Sequence, residues 1–281
     1  AAALQATTTE QLSSKNFQRL ATFIQDYSGI KMPAQKRTML EGRLRRRMRT
    51  IRLDDVNAYC HYLFEEDGMD SEVIHLIDAV TTNKTEFFRE PAHFDFMVAK
   101  ALPALAAKGK REIKIWSAAC STGAEPYTIA MILDEFCASQ RGVDYSILCT
   151  DICTEVLQQA IAGRFVESMI QPVSMPRRQR YVLRAKDPSR GEVRIVPELR
   201  SKVAYGRLNL MDERYPVETT MDIIFCRNIL IYFDKPTQAQ VLTRLCGHLA
   251  PGGYLFLGHS ESIVGIDLPI VQIANTVFQK R

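Results

Sequence analysis

The sequence holds no Cys-x-x-Cys pair, no glycine-rich phosphate loop, no internal repeat and no low-complexity segment. Nor does any apolar run approach the roughly 18 residues that a membrane span requires. Ile129–Leu133 and Ile223–Cys226 are typical of the runs present, so insertion into a membrane is not expected. Ala1–Gln11 carries no basic region followed by an apolar one, and a signal peptide is not expected either. The seven cysteines are an odd number. Several sit inside apolar runs, where a thiol behaves as a small hydrophobe. Free thiols, a cytoplasmic setting and no zinc site follow. The histidines His61, His75, His93 and His248 show no metal-ligand spacing, so no metal is expected. Gly-x-Gly-x-x-Gly is missing, which argues against a nicotinamide oxidoreductase.

What is present is an ordinary soluble composition, 46% hydrophobic and 24% charged over 281 residues. That length suits two domains, or one large domain with an appendage. The net charge of +4 is modest, but its distribution is uneven. Between Lys36 and Arg52 stand Lys36, Arg37, Arg43, Arg45, Arg46, Arg47, Arg49 and Arg52 against one acid, Glu41. Leu53–Val80 then holds eight acids and neither Lys nor Arg.

Residues 12–80 read as an all-α domain. Ser14 could cap a helix carrying Phe17, Leu20, Phe23 and Ile24. On Ala34–Ile51 the residues Leu40, Leu44, Met48 and Ile51 form one stripe, with arginines around the rest. Asp54 or Asp55, and then Ser71, could cap two more helices. Thr81–Thr85 breaks the pattern, and residues 81–97 are expected to form a linker. From Arg111 strands and helices alternate: Ile113–Ala118, Tyr145–Thr150, Val203–Leu208, Met221–Cys226, Tyr254–Gly258 and Val271–Gln279 are apolar strand signals. Helices are expected at Pro126–Phe136, Thr154–Ala162 and Thr237–Leu249. This rhythm predicts a doubly wound parallel α/β sheet over 98–281. Residues 164–202 interrupt it with an inserted β-hairpin, Tyr181–Ala185 paired with Val193–Val196.

A parallel sheet binds ligands at the carboxyl ends of its strands. There Ala118–Glu125 leads into Pro126, expected at the first helical position. Glu125 suits a ligand bearing an ammonium, and equally suits the dipole of a bare helix start. Asp151 stands where ribose hydroxyls bind, with Thr154 free to cap the next helix. Arg227 leaves an apolar strand and should point into the cleft, because an unpaired buried charge is costly. His259-Ser260-Glu261 are adjacent in sequence, which does not make a triad; His259 is expected to position other groups at most.

Several motifs occur in order: Thr81-Thr82-Asn83-x-Thr85-x-Phe87-Phe88-Arg89-Glu90, then Trp116-Ser117-Ala118-Ala119-Cys120-Ser121-Thr122-Gly123-x-Glu125-Pro126-Tyr127. Thr150-Asp151-Ile152, Ile224-Phe225-Cys226-Arg227-Asn228-x-x-Ile231-Tyr232-Phe233 and Gly258-His259-Ser260-Glu261 complete the set. Together they resemble the chemotaxis receptor glutamate methyltransferases of the CheR type, over about residues 14–279. The resemblance implies a Rossmann-like methyltransferase sheet with an inserted antiparallel β-subdomain, behind an all-α N-terminal domain. It implies S-adenosylmethionine as cofactor and S-adenosylhomocysteine as product. The acceptors it implies are glutamates on the cytoplasmic helices of transmembrane chemoreceptors. It places Asn83, Thr85 and Arg89 at the cofactor or acceptor site. Glu125, Asp151, Asn209, Leu210, Arg227 and Asn228 are placed on the cofactor. The chain departs from the family at Ala124 and Cys153, where many members have acids. Its turn Ala185-Lys186-Asp187 lacks the glycines of members that bind a receptor tail peptide.

For that reaction Arg89 and Arg227 are the expected carboxylate clamps, since a guanidinium meets a carboxylate bidentately. Tyr232 is the expected source of a further hydrogen bond. Arg43, Arg46, Arg47 and Arg49 would steer and register an acidic receptor helix, unless the acidic stretch 53–80 neutralises them internally. A nucleic-acid methyltransferase would also use this fold, but no Pro-Pro-Tyr follows the fourth strand and there is no Pro-Cys nucleophile. A non-catalytic receptor-binding module would need a dead cofactor site, and the motif residues are intact. A monomer that binds no nucleic acid is expected.

Overall fold

The computed structural model describes residues 11–281. The signal-peptide expectation rests on a segment that lies almost entirely outside them. The chain divides at Thr82/Asn83 into two units. The first holds four helices: α1 (Ser14–Ser28), α2 (Arg37–Thr50), α3 (Val56–Glu65) and α4 (Met69–Val80). Ser13, not Ser14, caps α1; its Oγ accepts from the Asn16 N–H at 3.2 Å. Asp55 caps α3, accepting from the Ala58 N–H at 2.8 Å. Gly68 rather than Ser71 begins α4. The apolar stripe of α2 buries Leu40, Leu44 and Met48 as its spacing requires.

The second unit opens with α5 (Pro91–Phe96), runs through a π-helical turn at Met97–Ala101, and continues as α6 (Leu102–Ala107). The sequence reads as one helix here; Pro103, with no N–H to give, follows the widened turn. The alternating part comprises β1 (Glu112–Ala118), α7 (Ala124–Ser139), β2 (Asp144–Asp151) and α8 (Thr154–Ala162). An insertion follows, with β3 (Arg164–Val166), α9 (Met175–Tyr181), β4 (Val182–Arg184) and β5 (Glu192–Ile195). Then come α10 (Pro197–Arg200), β6 (Val203–Arg207), β7 (Met221–Cys226), α11 (Lys235–His248), β8 (Leu249–Leu257), β9 (Ile270–Ala274) and β10 (Val277–Lys280).

The main sheet has seven strands in the order β6-β2-β1-β7-β8-β10-β9. From β6 to β8 every pair is parallel, and β10 runs antiparallel to both neighbours. The expected last strand is thus two, broken by a turn where Thr276 takes φ 51°. β8 also starts earlier than its apolar run, at Leu249, and carries Pro251-Gly252-Gly253 inside it. The insertion is a three-stranded antiparallel sheet, β3-β5-β4, rather than a hairpin alone. β3 is only three residues long, with two of them exposed, and such a strand leaves no apolar run to read.

Both faces of the sheet are covered, so the central strands bury apolar side chains on both sides. Ile113, Ile115, Ile147, Ile223, Phe225 and Phe256 pack on one side with α5–α7 residues such as Phe94 and Tyr127. Trp116, Ile224, Leu255 and Leu257 pack on the other with Leu242 and Leu245 of α11. The expected linker does not stand apart. From Asn83 it belongs to the second unit, with Phe87 buried against Phe165 at 4.9 Å between ring centres.

Candidate active site

β1 lies between β2 and β7, and the chain leaves its carboxyl end on one side and that of β7 on the other. Ligands bind at such a switch point. Three loops meet here: Asn83–Glu90, Ala119–Gly123 after β1, and Arg227–Tyr232 after β7. Phe88, Glu90, Ala119, Ser121 and Asn228 in these loops all take left-handed φ between 51° and 63°. Only Arg52, Asp67 and Thr276 do so elsewhere among the described non-glycine residues. Such backbone costs on the order of 1–3 kcal/mol per residue and persists only where the surroundings enforce it.

The β1 loop is fixed from both sides. Asp151, at the end of β2, accepts from the Ser121 N–H at 2.8 Å and the Cys153 N–H at 2.9 Å. Ser121 Oγ donates to the Asn83 carbonyl at 2.8 Å, which brings the 83–90 segment onto this loop. Gly123 takes φ 95°, and a Cβ there would sit 3.0 Å from the Ala160 Cβ, so both backbone and packing demand glycine. α7 begins at Ala124, which makes Pro126 its third residue rather than its first. Pro126 still lies in the turn whose N–H groups have no helical partner. The cap position of α8 is Cys153, not Thr154.

Glu125 Oε1 accepts from Ser117 Oγ and Oε2 from Arg227 Nε, both at 2.7 Å. Arg227 is the hub of the site. Its Nη1 donates to the Arg89 carbonyl at 2.8 Å and reaches His93 Nδ1 at 3.1 Å. Glu90 Oε2 lies 3.5 Å from the same nitrogen. The Arg227 side chain is 2% exposed. Arg227 is expected to clamp an incoming carboxylate; in the structure its Nε is engaged by Glu125 and its Nη1 by a backbone carbonyl and His93. Glu125 of α7 and Glu90 of the 83–90 segment neutralise the buried charge. Asn228 Nδ2 donates to Glu90 Oε1 at 3.0 Å. Burial opposes ionisation of Glu90, but Asn228 and Arg227 outweigh it and hold its carboxyl below the usual range.

His93 and Glu90 were not singled out by the sequence. Glu90 closes the Thr81–Glu90 motif without an assigned role, His93 lies outside every motif, and only the fold brings both to Arg227. An arginine cannot accept, so His93 Nδ1 must, and Nε2–H then donates to Thr276 Oγ1 at 2.9 Å. Burial, then the Arg227 charge, lowers the His93 pKa to about 4. The unfolded chain takes up this proton near pH 6.5 and the folded one refuses it until about pH 4. Stability from this group is thus complete above pH 6.5 and falls as pH drops to about 4, by about 3 kcal/mol in all. Urea melts at pH 7.5 and 5.0 should show a smaller pH dependence in His93→Gln than in the unchanged protein.

Glu90, His93 and His259 bring ligand atoms within 4.8 Å of one another, a spacing a metal could use. Arg227 Nη1 already faces Glu90 and His93 at 3.5 and 3.1 Å, so a guanidinium supplies the positive charge of this cluster.

The other expected residues fall as follows. Arg89 is half-buried, with Nη1 donating to the Lys84 carbonyl at 3.1 Å. Asn83 and Thr85 are half-buried in the same segment. Asn209 and Leu210 are buried after β6, and Asn209 Oδ1 accepts from the Met211 N–H at 3.0 Å. Tyr232 is half-buried in a short 3₁₀ turn, Leu230–Tyr232. In the first unit, Arg47 grips buried Glu72 with Nε and Nη2 at 2.8 and 2.6 Å. Arg43 donates to the Val80 and Thr81 carbonyls at the end of α4, at 2.6 and 2.9 Å. These two arginines hold their own domain together, and only Arg46 and Arg49 of the four are exposed.

A cofactor has groups here that fit it. Thr122 Oγ1, in the loop that leads into α7, is buried with no hydrogen-bond partner. Each Glu125 oxygen accepts one bond from a neighbouring side chain, which leaves acceptor capacity for an ammonium. No nucleophile competes. The Cys120 thiol is pushed well up by its bond to Cys149 and by burial, and Cys226 by burial.

Comparison with known proteins gives two family matches: the CheR methyltransferase all-alpha domain over residues 15–81, and the CheR methyltransferase SAM-binding domain over residues 83–277. The chain is 40% identical over 262 residues to a chemotaxis protein methyltransferase of Salmonella typhimurium, covering 92% of this chain and 88% of that one. It is 37% identical over 278 residues to one from Escherichia coli, covering 98% and 94%. To chemotaxis protein methyltransferase 2 of Pseudomonas aeruginosa it is 36% identical over 264 residues, covering 94% and 92%.

Proposed function

The chain belongs to the CheR methyltransferase family, and from that membership and the site's geometry we propose that it methylates glutamate side chains on chemoreceptor cytoplasmic helices. It is an S-adenosylmethionine-dependent methyltransferase of chemotaxis. The observation that carries the reading is Glu125, held by Ser117 and Arg227 at the start of α7, with the unpartnered Thr122 hydroxyl in the loop just before it. Glu125 and Thr122 would hold the amino-acid end of the cofactor, Asp151 its ribose, and Asn209–Leu210 the region beyond. Bound S-adenosylmethionine supplies a methyl group on a sulfonium, already activated for displacement.

The acceptor glutamate is ionised at pH 7, so no general base is required. The remaining work is orientation. Arg89 is the clamp for the acceptor carboxylate, with donors beyond the one given to Lys84. Tyr232 adds a hydrogen bond. Arg227 acts one step back: it fixes Glu125 and the Arg89 carbonyl, and it does not touch the acceptor. No metal takes part in this scheme, and the setting is cytoplasmic. Isothermal titration tests it. Micromolar binding of S-adenosylhomocysteine is expected, and NAD should give no heat; no heat with S-adenosylhomocysteine or S-adenosylmethionine would leave a fold without its chemistry.

The exposed Arg46 and Arg49 register the acidic receptor helix. Arg46→Glu with Arg49→Glu should raise KM for a receptor fragment about tenfold, with kcat and melting temperature unchanged. Arg47→Glu should instead unfold the helical unit, because it sets a second acid against buried Glu72. Unchanged KM in the double variant would remove α2 from receptor docking.

A further inference from the structure

The Tyr232 turn is gripped at both ends by side chains from elsewhere in the second unit. Glu261 is buried, yet its carboxylate has no cationic side chain within ion-pair distance among the described residues. It faces backbone donors instead. Oε1 accepts from the Ile229 and Leu230 N–H groups at 2.8 and 2.7 Å, and Oε2 from the Gly258 N–H at 2.6 Å. The first two are the open donors at the start of the 3₁₀ turn Leu230–Tyr232. At the other end, Gln238 of α11 donates its amide to the Leu230 and Phe233 carbonyls at 2.9 and 3.2 Å. The turn itself closes with Tyr232 N–H on the Ile229 carbonyl at 3.1 Å and Phe233 N–H on Leu230 at 3.0 Å.

The approach of β8 to this loop is close enough to exclude a side chain. A Cβ on Gly258 would stand 2.5 Å from Asn228 Nδ2 and 3.0 Å from Glu261 Oε2. Burial pushes the Glu261 carboxyl up, and the backbone N–H groups of Gly258, Ile229 and Leu230 work against that by donating to it. A charge buried this way is costly unless fully hydrogen-bonded, and ordinary packing of a surface turn would not need one.

From this double grip we infer that Glu261 and Gln238 are positioning residues for Tyr232: they lock its turn so that the phenol meets the acceptor carboxylate in one orientation. The inference rests on the role given to Tyr232 above. It goes beyond that role by assigning a task to two residues that touch neither cofactor nor acceptor.

A double-mutant cycle with Gln238→Met and Tyr232→Phe tests it, read by kcat and KM on a receptor fragment, S-adenosylhomocysteine affinity and amide exchange. Gln238→Met keeps the side-chain volume and removes the donor. The expected result is a kcat lowered about tenfold with KM and S-adenosylhomocysteine affinity within twofold. Exchange at the Tyr232 and Phe233 amides should quicken. In the Tyr232→Phe background, Gln238→Met should change kcat less than twofold. Glu261→Gln, if it folds, should behave alike. A full tenfold loss in the Tyr232→Phe background, or a parallel loss of cofactor affinity, overturns the inference and makes the grip purely structural. If Tyr232→Phe alone keeps full kcat, the role of Tyr232 falls and the inference falls with it.

Discussion

Arg227→Met should lower the unfolding free energy by about 3–5 kcal/mol, the range for breaking a buried ion pair by removing one partner. The guanidinium is almost fully buried, and it joins Glu125, Glu90, His93 and the Arg89 carbonyl. Removing it leaves Glu125 and Glu90 without their guanidinium, next to the rings of Phe94 and Phe225, whose centres lie 5.0 and 5.6 Å from the guanidinium carbon. The pair Arg227→Met with Glu125→Gln should recover about half of that loss or more, because no unpaired charge remains at Glu125. Affinity for S-adenosylhomocysteine should not recover, because the carboxylate proposed to meet its ammonium is gone. Urea denaturation with titration calorimetry on the four proteins separates the two effects. If affinity returned with stability, Glu125 would be a structural residue only.

The second large effect is expected at Asp151. Its carboxylate holds the Ser121 and Cys153 N–H groups, and through Ser121 it shapes the β1 loop where Ser121 takes φ 51°. Asp151→Ala should weaken S-adenosylhomocysteine about 100-fold, close to the 2.8 kcal/mol of two tenfold steps. Hydrogen bonds to a charged acceptor are worth about 1.5–3 kcal/mol each, so the loop bonds alone could supply this. Asp151→Asn separates the causes. It can keep one backbone bond but gives a ribose hydroxyl a poorer acceptor, and about tenfold weakening is expected. Titration at constant ionic strength reads both variants.

The sequence carries the sheet well because both faces are covered. Ile223–Cys226 of β7 is then an unbroken apolar run, which singles itself out. The helical unit is legible for the same kind of reason, through the Leu40, Leu44 and Met48 stripe. β3 and the β9/β10 break are not legible: short, half-exposed strands carry no periodic signal. At the site, residues in motifs were found where the fold puts ligands: Glu125, Asp151, Asn209 and Asn228 all lie at carboxyl ends of strands. Partnership was what stayed hidden. Arg47 pairs with Glu72, inside the acidic stretch that the sequence offers as the internal alternative to a receptor, but which acid meets which arginine is not legible, because Glu125 and Glu72 are tens of residues away in sequence from Arg227 and Arg47. Glu261 was read as part of a motif around His259. Its three backbone donors come from two loops that only the β7–β8 pairing brings side by side.

The central claim is methyl transfer to a carboxylate, and the chemistry of the product tests it most directly. Incubate the protein with S-adenosylmethionine labelled on the methyl group and the cytoplasmic fragment of a chemoreceptor, then treat the labelled fragment with mild base. An ester releases its label as volatile methanol, and a variant fragment with alanine at the acceptor glutamates takes up none. Both results are predicted. Label that survives base, as a methylated amine would, or that enters the alanine variant equally, would contradict the account.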